Sequence, residues 1–320
     1  MRAFASIGTL LIALALAAPA MTDDYPTHPI RVIVPNPPGG PTDLVARLVG
    51  PKLAERLGQS VVVDDRAGAD GVIGSDVVAK APPDGYTLLL TSSSHAMHPA
   101  VYATMPFDTE AAFTPVALLV RMPFILVVNP ALPARSVAAL IETARQHPGQ
   151  LNYGSAGNGG GVHLTTELFK HVAGIDLVHV PYKGGAPLLA DLVAGRVQVA
   201  IVPISTAMPL VRDGRLRALA VTSAARAAAL PDLPSIAETL PGFDSSTWYG
   251  VLAPVGTPAP IVARLNAALA PILGEDEIVA RVTAFGGEPA IGPPDAFGAL
   301  IHAELARWAA VAKQADVHLD

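Results

Sequence analysis

From residue 30 onward the chain alternates short apolar runs with stretches in which apolar residues recur every three or four positions. That alternation predicts strand–helix units, hence α/β architecture with mainly parallel sheets flanked by helices. Strands are expected at residues 30–34, 61–63 and 86–91. Helices are expected from Thr42 or Asp43 to Leu57, stopped by Gly58, and over 72–80. A looser stretch runs through Pro99 and Pro106 to Pro115. Two β-like runs follow, 116–120 and 124–128, with Arg121-Met122-Pro123 between them as a candidate crossing from one lobe to another. The rhythm then restarts. It predicts a Ser136-capped helix to Gln146, strands at 151–155, 177–180, 197–202 and 216–222, and helices at 162–172 and 186–194. A proline-bearing connection at 230–243 leads to a strand at 248–253 that returns to the first lobe. Helices are expected at 259–273, near 275–284 and at 294–313.

The length of 320 residues supports two lobes with separate cores. The expected division is a signal peptide at 1–20, a first lobe at 21–122 and 248–320, and a second lobe at 123–247. Residues 7–17 are almost wholly apolar, Arg2 precedes them, and Ala18-Pro19-Ala20 places small residues where a signal peptidase reads. That run falls short of the ~20 residues needed to span a bilayer, so export with cleavage near Ala20 and a periplasmic location are expected, with no membrane span in the mature protein. The net charge is −6 with scattered Lys and Arg, which argues against nucleic acid as a partner. Cysteine is absent, which removes disulfides and thiolate chemistry.

Two loops carry the candidate chemistry. In Pro35-Asn36-Pro37-Pro38-Gly39-Gly40-Pro41-Thr42-Asp43, glycines allow close backbone approach and the following helix presents free N–H groups, a combination that favours an anion. An ordinary strand–helix turn is the plainer reading. In the second loop, Ser155, Ala156, Gly157, Asn158 and Gly159 offer uncharged donors to a carboxylate. His163 follows in the helix's first turn, where a histidine is more commonly a cap or core residue than a contact. Tyr182 and Lys183 could add a wall and a positive charge, although a solvated lysine is nearly as good an explanation. Ser92 and Ser94 close a strand with hydroxyls. His95 and His98 lack a nearby Asp or Glu, so no metal is expected, and nothing calls for a cofactor.

Enzyme motifs are incomplete. The glycine pattern G-x-G-x-x-G fails at Val162, and a nucleophile elbow fails at Tyr153. No carboxylate pair is spaced for acid–base work. A non-enzyme is expected, with a secreted hydrolase using Ser155 and His163 or His179 as the alternative.

Together these segments resemble the Bug-type solute receptors of tripartite tricarboxylate transporters. The resemblance runs through Tyr25-Pro26, the Pro-Pro-Gly-Gly loop, Asp84-Gly85-Tyr86-Thr87-Leu88, Leu151-Asn152-Tyr153-Gly154-Ser155-Ala156-Gly157 and His179-Val180-Pro181-Tyr182-Lys183-Gly184. It continues through Leu216-Arg217-Ala218-Leu219-Ala220-Val221-Thr222-Ser223, Ala229-Leu230-Pro231-Asp232-Leu233-Pro234 and Leu252-Ala253-Pro254-Val255-Gly256-Thr257-Pro258. It implies a two-lobed periplasmic-binding-protein (Venus flytrap) fold that closes on a carboxylate and delivers it to membrane permease subunits; the expected ligand is a di-, tri- or aromatic acid, and the expected state a monomer. A sensor that signals to a membrane kinase would share the fold. Matching site positions are Pro38, Gly39 and Gly40 with Thr42 and Asp43, and Ser155 to Gly159. Two departures stand out: Asn36, where an aromatic or small residue is common, and Val202-Pro203-Ile204, where relatives often carry an Asp. Without that acid an amino-acid ligand is disfavoured.

Overall fold

A computed structural model describes residues 25–319. The expected signal peptide lies outside the described residues. Strands β1 (Ile30–Val34), β2 (Val61–Asp65) and β3 (Thr87–Ser92) pair in parallel with β1 central. Strands β5 (Asn152–Ser155), β6 (Val178–Pro181) and β7 (Val199–Pro203) repeat that arrangement with β5 central. Each central strand feeds a glycine loop and a helix: α1 (Pro41–Leu57) after β1, and α5 (Gly161–Ala173) after β5. The two loops therefore occupy equivalent places in the two lobes.

Strand β4 (Phe113–Val128) joins the lobes. Its first half pairs antiparallel with β9 (Ser246–Pro254) as far as Pro123↔Ser246, and its second half pairs with β7 from Phe124↔Pro203 onward. The sequence reading placed two separate strands here; the structure has one strand of 16 residues. Pro123 looked like a break because it cannot donate to a ladder. It stands where pairing passes from β9 to β7, so the missing N–H removes at most one bond. The sheets are also more mixed than expected, because β4 runs antiparallel to β7, β9 and β8 (Arg217–Val221), and β9 to β3.

Helices cover both faces of each sheet. One face of the first sheet packs on α1 and α8 (Ala259–Leu269), through Val45, Val49, Leu53 and Leu265. The other meets α3 (Ser94–Val101) and α10 (Pro294–Gln314), through Met97, Phe297, Ile301 and Trp308. In the second lobe, α4 (Val137–Gln146) and α5 cover one face. The other face carries α6 (Gly185–Val193) and α7 (Ile204–Arg212). Two short helices were not anticipated. Helix α3 forms despite Pro99, where a loose loop was expected, and α7 begins directly after Pro203. The remaining elements are α2 (Val72–Ala79), α9 (Asp276–Ala284) and β10 (Glu288–Pro289), which pairs with β4.

The C-terminal helix bridges the lobes. It packs along α3 and β4 and also meets α5, where Leu164 and Leu168 join the same apolar cluster. Gln314 Nε2 lies 2.7 Å from His171 Nδ1. Its buried Glu304 receives the Trp308 indole N–H at 2.6 Å and pairs with Arg307, which itself donates to the Asp244 carbonyl.

Candidate functional site

The first loop is braced from within. Gly39 N–H donates to Asp43 Oδ2 at 2.8 Å, Thr42 Oγ1 donates to Asn36 Oδ1 at 2.9 Å, and Arg47 Nε stands 2.6 Å from Asp43 Oδ1. Burial alone would raise the Asp43 carboxyl, but the Arg47 bond and the Gly39 N–H together hold it below the usual carboxylate range. Gly39 takes φ +79°, which a side chain would resist. Thr42 and Asp43 are thus occupied in shaping the turn. Gly40 is the N-cap of α1, and no side chain caps the helix. Pro38 and Gly39 are exposed at the loop's crest, and Gly40 is half-buried.

At the end of β3, Ser92 and Ser94 are half-buried with hydroxyls 3.0 Å apart, and Ser92 stands opposite Tyr249 of β9. His95 and His98 turn away into the core. His98 Nε2 lies 3.3 Å from Asp70 Oδ2. His95 packs edge-on to Phe113, and neither ring nitrogen has a partner in normal hydrogen-bond geometry, although the Thr109 backbone is near. Burial first, then His98, push His95 down to about 3.

The second loop sits on a buried polar stack. Ser155 is fully buried; its Oγ donates to the Gly157 carbonyl at 2.8 Å and lies 2.6 Å from His179 Nε2. A hydroxyl has one proton, so if Gly157 receives it, His179 must donate its Nε2–H to Oγ. The His179 ring stacks on His163 at 3.9 Å and on Tyr153 at 4.8 Å. The Tyr153 hydroxyl donates to Glu167, which also receives Lys170 at 2.8 Å. His163 Nδ1 accepts the Gly159 N–H at 3.1 Å, so His163 holds the loop from below. Burial, then His179, push His163 down to about 4, against an upward pull from Glu167. Both rings are therefore neutral near pH 7. Ala156 and Asn158 are exposed, and Gly160 N-caps α5 without a side-chain cap.

Tyr182 and Lys183 fall at the far side of this loop, just beyond the end of β6, the strand that edges the sheet. Tyr182 Oη donates to Asp191 at 2.9 Å, and its ring packs beneath Gly154. Lys183 is exposed and forms no ion pair among the described residues. Backbone bonds from Tyr182 N–H to the Ser155 carbonyl and from Gly184 N–H to the Ala156 carbonyl tie this turn to the loop.

A cavity beside the first loop is lined largely by residues that the sequence reading left out, and by none of the second loop. It has a volume of about 110 Å³ and opens between the first turns of α1 and α7, with Pro41 and Leu44 on one side and Pro203, Ile204 and Ser205 on the other. Met122, Phe124, Thr247 and Tyr249 of the crossing strands also line it, together with Phe285. On its other side, Phe124 reaches α5: a Cβ on Gly161 would lie 3.8 Å from the ring and 3.7 Å from Met97 of α3. The first turns of α1, α3, α5 and α7 thus cluster where β4 and β9 cross. The one available signal was the strand–proline step before Ile204, which matches the strand–loop–helix pattern of the two glycine loops.

Two lobes of this kind, joined by crossing strands, define the class of two-lobed solute-binding proteins. Residues 45–317 match the tripartite tricarboxylate transporter family receptor, and the chain belongs to that family. It is 39% identical to the protein BugT of Bordetella pertussis over 321 residues, covering 99% of this chain and 98% of BugT. Among solved structures it resembles R. palustris Rpa4515 with adipate, at 44% identity and a TM-score of 0.77, over 92% of this chain and all of that one. It also resembles MatC from Rhodopseudomonas palustris with bound malate, at 34% identity and a TM-score of 0.72, over 90% and 99% of the two chains. Among the described residues no helix is long and apolar enough to cross a membrane.

Proposed function

We propose that this protein is a periplasmic receptor that binds a small organic carboxylate between its lobes and delivers it to a tripartite tricarboxylate-type membrane transporter. The carrying observation is the gathering of the first turns of α1, α3, α5 and α7 at the strand crossing, with glycine at the N-caps of α1 and α5 and no side-chain cap on any of the four. Free N–H groups and the positive ends of helix dipoles attract a carboxylate without a cluster of arginines. Hydrogen bonds to a charged group contribute roughly 1.5–3 kcal/mol each, so five or six reach the ~8 kcal/mol of a micromolar complex after ordering costs. Relatives solved with adipate and malate support the same ligand class. In this reading the boundaries near residues 122 and 247 separate the lobes, and the ligand meets Pro38–Gly40, Ser92, Ser94 and the Ala156–Gly159 backbone. Calorimetry with carboxylates tests it: a ligand recovered unchanged after binding is expected, and no heat from any carboxylate would refute it.

The Ser155–His179 contact favours a second reading, an esterase. Against it stand the full burial of Ser155 and the commitment of its proton to Gly157.

A further inference from the structure

The cavity between α1 and α7 has a chemical character of its own. No charged side chain lines it, and its walls are Leu44, Met122, Phe124, Ile204 and Phe285, with prolines at its edges. Ser205 and Thr247 offer hydroxyls at its margin. Tyr249 is 6% exposed and lines the same space, yet its Oη has no hydrogen-bond partner among the described residues. The ring is buried, but the hydroxyl oxygen is not among the unpartnered polar atoms sealed from solvent, so it is open to a ligand oxygen.

We propose that this cavity receives the hydrocarbon body of the ligand, while Tyr249 Oη donates to a carboxylate oxygen at its mouth, so that the preferred ligand is an aromatic or cyclic monocarboxylate. The assignment rests on the carboxylate-receptor reading. An apolar cavity of ~150 Å³ takes a whole benzene ring, so the ~110 Å³ here seats about four carbons, that is, the far part of a ring whose carboxylate-bearing edge stays at the opening. A second carboxylate pushed into this lining would be desolvated without a cation to pair it, and an α-ammonium would find no acid. Short diacids and amino acids are therefore disfavoured. Each buried methylene is worth about a fourfold gain in affinity.

The experiment is calorimetry on the whole mature protein at pH 7 with benzoate, cyclohexanecarboxylate, acetate, succinate and malate, repeated on Leu44→Trp and Tyr249→Phe. Leu44 is partly exposed, so a larger ring there fills the cavity from its rim without disturbing the core. The cyclic acids are expected to bind at least ~100-fold more tightly than acetate or succinate. Each variant should weaken them ~10-fold or more while the melting temperature without ligand stays unchanged. If succinate or malate binds best, or if Leu44→Trp leaves the cyclic acids unaffected, the cavity is not the ligand's seat and the proposal falls while the receptor reading stands. If none of the five acids binds, this assignment falls, while the receptor reading is decided by the wider carboxylate screen.

Discussion

Replacing Ser155 by Ala separates the receptor from the esterase. In the wild type, Oγ links His179 Nε2 at 2.6 Å to the Gly157 carbonyl at 2.8 Å inside the core. Alanine removes both bonds and leaves a buried imidazole N–H and a carbonyl without that partner. Each orphaned group costs about 1–3 kcal/mol, so a loss of about 2–4 kcal/mol is expected. With an unfolding entropy of about 2.1 cal/mol/K per residue, a chain of this size should melt about 3–6 °C lower. Removing the partner as well should restore much of the loss, because two apolar groups have nothing to satisfy. In Ser155→Ala/His179→Phe the new ring keeps the stacking on Tyr153 and His163, so at least half the deficit should return. Differential scanning calorimetry of the four proteins closes the cycle, and hydrolysis of an activated ester is followed in parallel. A wild type that turns over the ester, with activity abolished in Ser155→Ala and the melting temperature unmoved, would refute the structural role and make Ser155 a nucleophile.

Two further predictions concern stability. His95 and His163 are held at about 3 and about 4 against an unfolded value near 6.5, so the unfolded chain binds more protons between those limits. Stability should therefore be constant above pH 6.5 and fall as the pH drops toward 4, with His163 alone contributing up to about 3 kcal/mol; His95→Leu should flatten that slope in thermal melts from pH 7 to 4.5, and an unchanged slope would rule His95 out as a source. Gly250 of β9 faces α10 so closely that an added Cβ would lie 2.7 Å from Phe297 Cε1 and 3.0 Å from the Ala117 carbonyl. Gly250→Ala should cost about 1–3 kcal/mol by overpacking, with partial relief from Phe297→Leu, as read from denaturant midpoints.

Much of this protein was legible before folding because its signals are local. The periods of apolar residues marked most strands and helices, and the two glycine loops were recognisable as equivalent devices, which β1 and β5 confirm by occupying the same central place in their parallel triplets. Proline was the misleading signal. Pro123 was read as a break and Pro99 as loose chain, yet one lies where β4 changes partners and the other inside α3. A missing N–H matters only where the fold would have used it, and that depends on the neighbouring strand or turn.

The sequence by itself determined the α/β alternation, the two glycine-bearing strand-to-helix turns and the family to which the chain belongs, since each is written in contiguous residues. Only the tertiary structure decided how the side chains around those turns are spent. Asp43 and Thr42 brace their loop, His163 and His179 stack beneath the other, and Tyr182 faces Asp191. It also assembled an uncharged cavity from Leu44, Phe124, Ile204, Tyr249 and Phe285, positions scattered over some 240 residues. Which of those groups meet depends on strand pairing and helix packing across the lobes, and no local pattern encodes that distance.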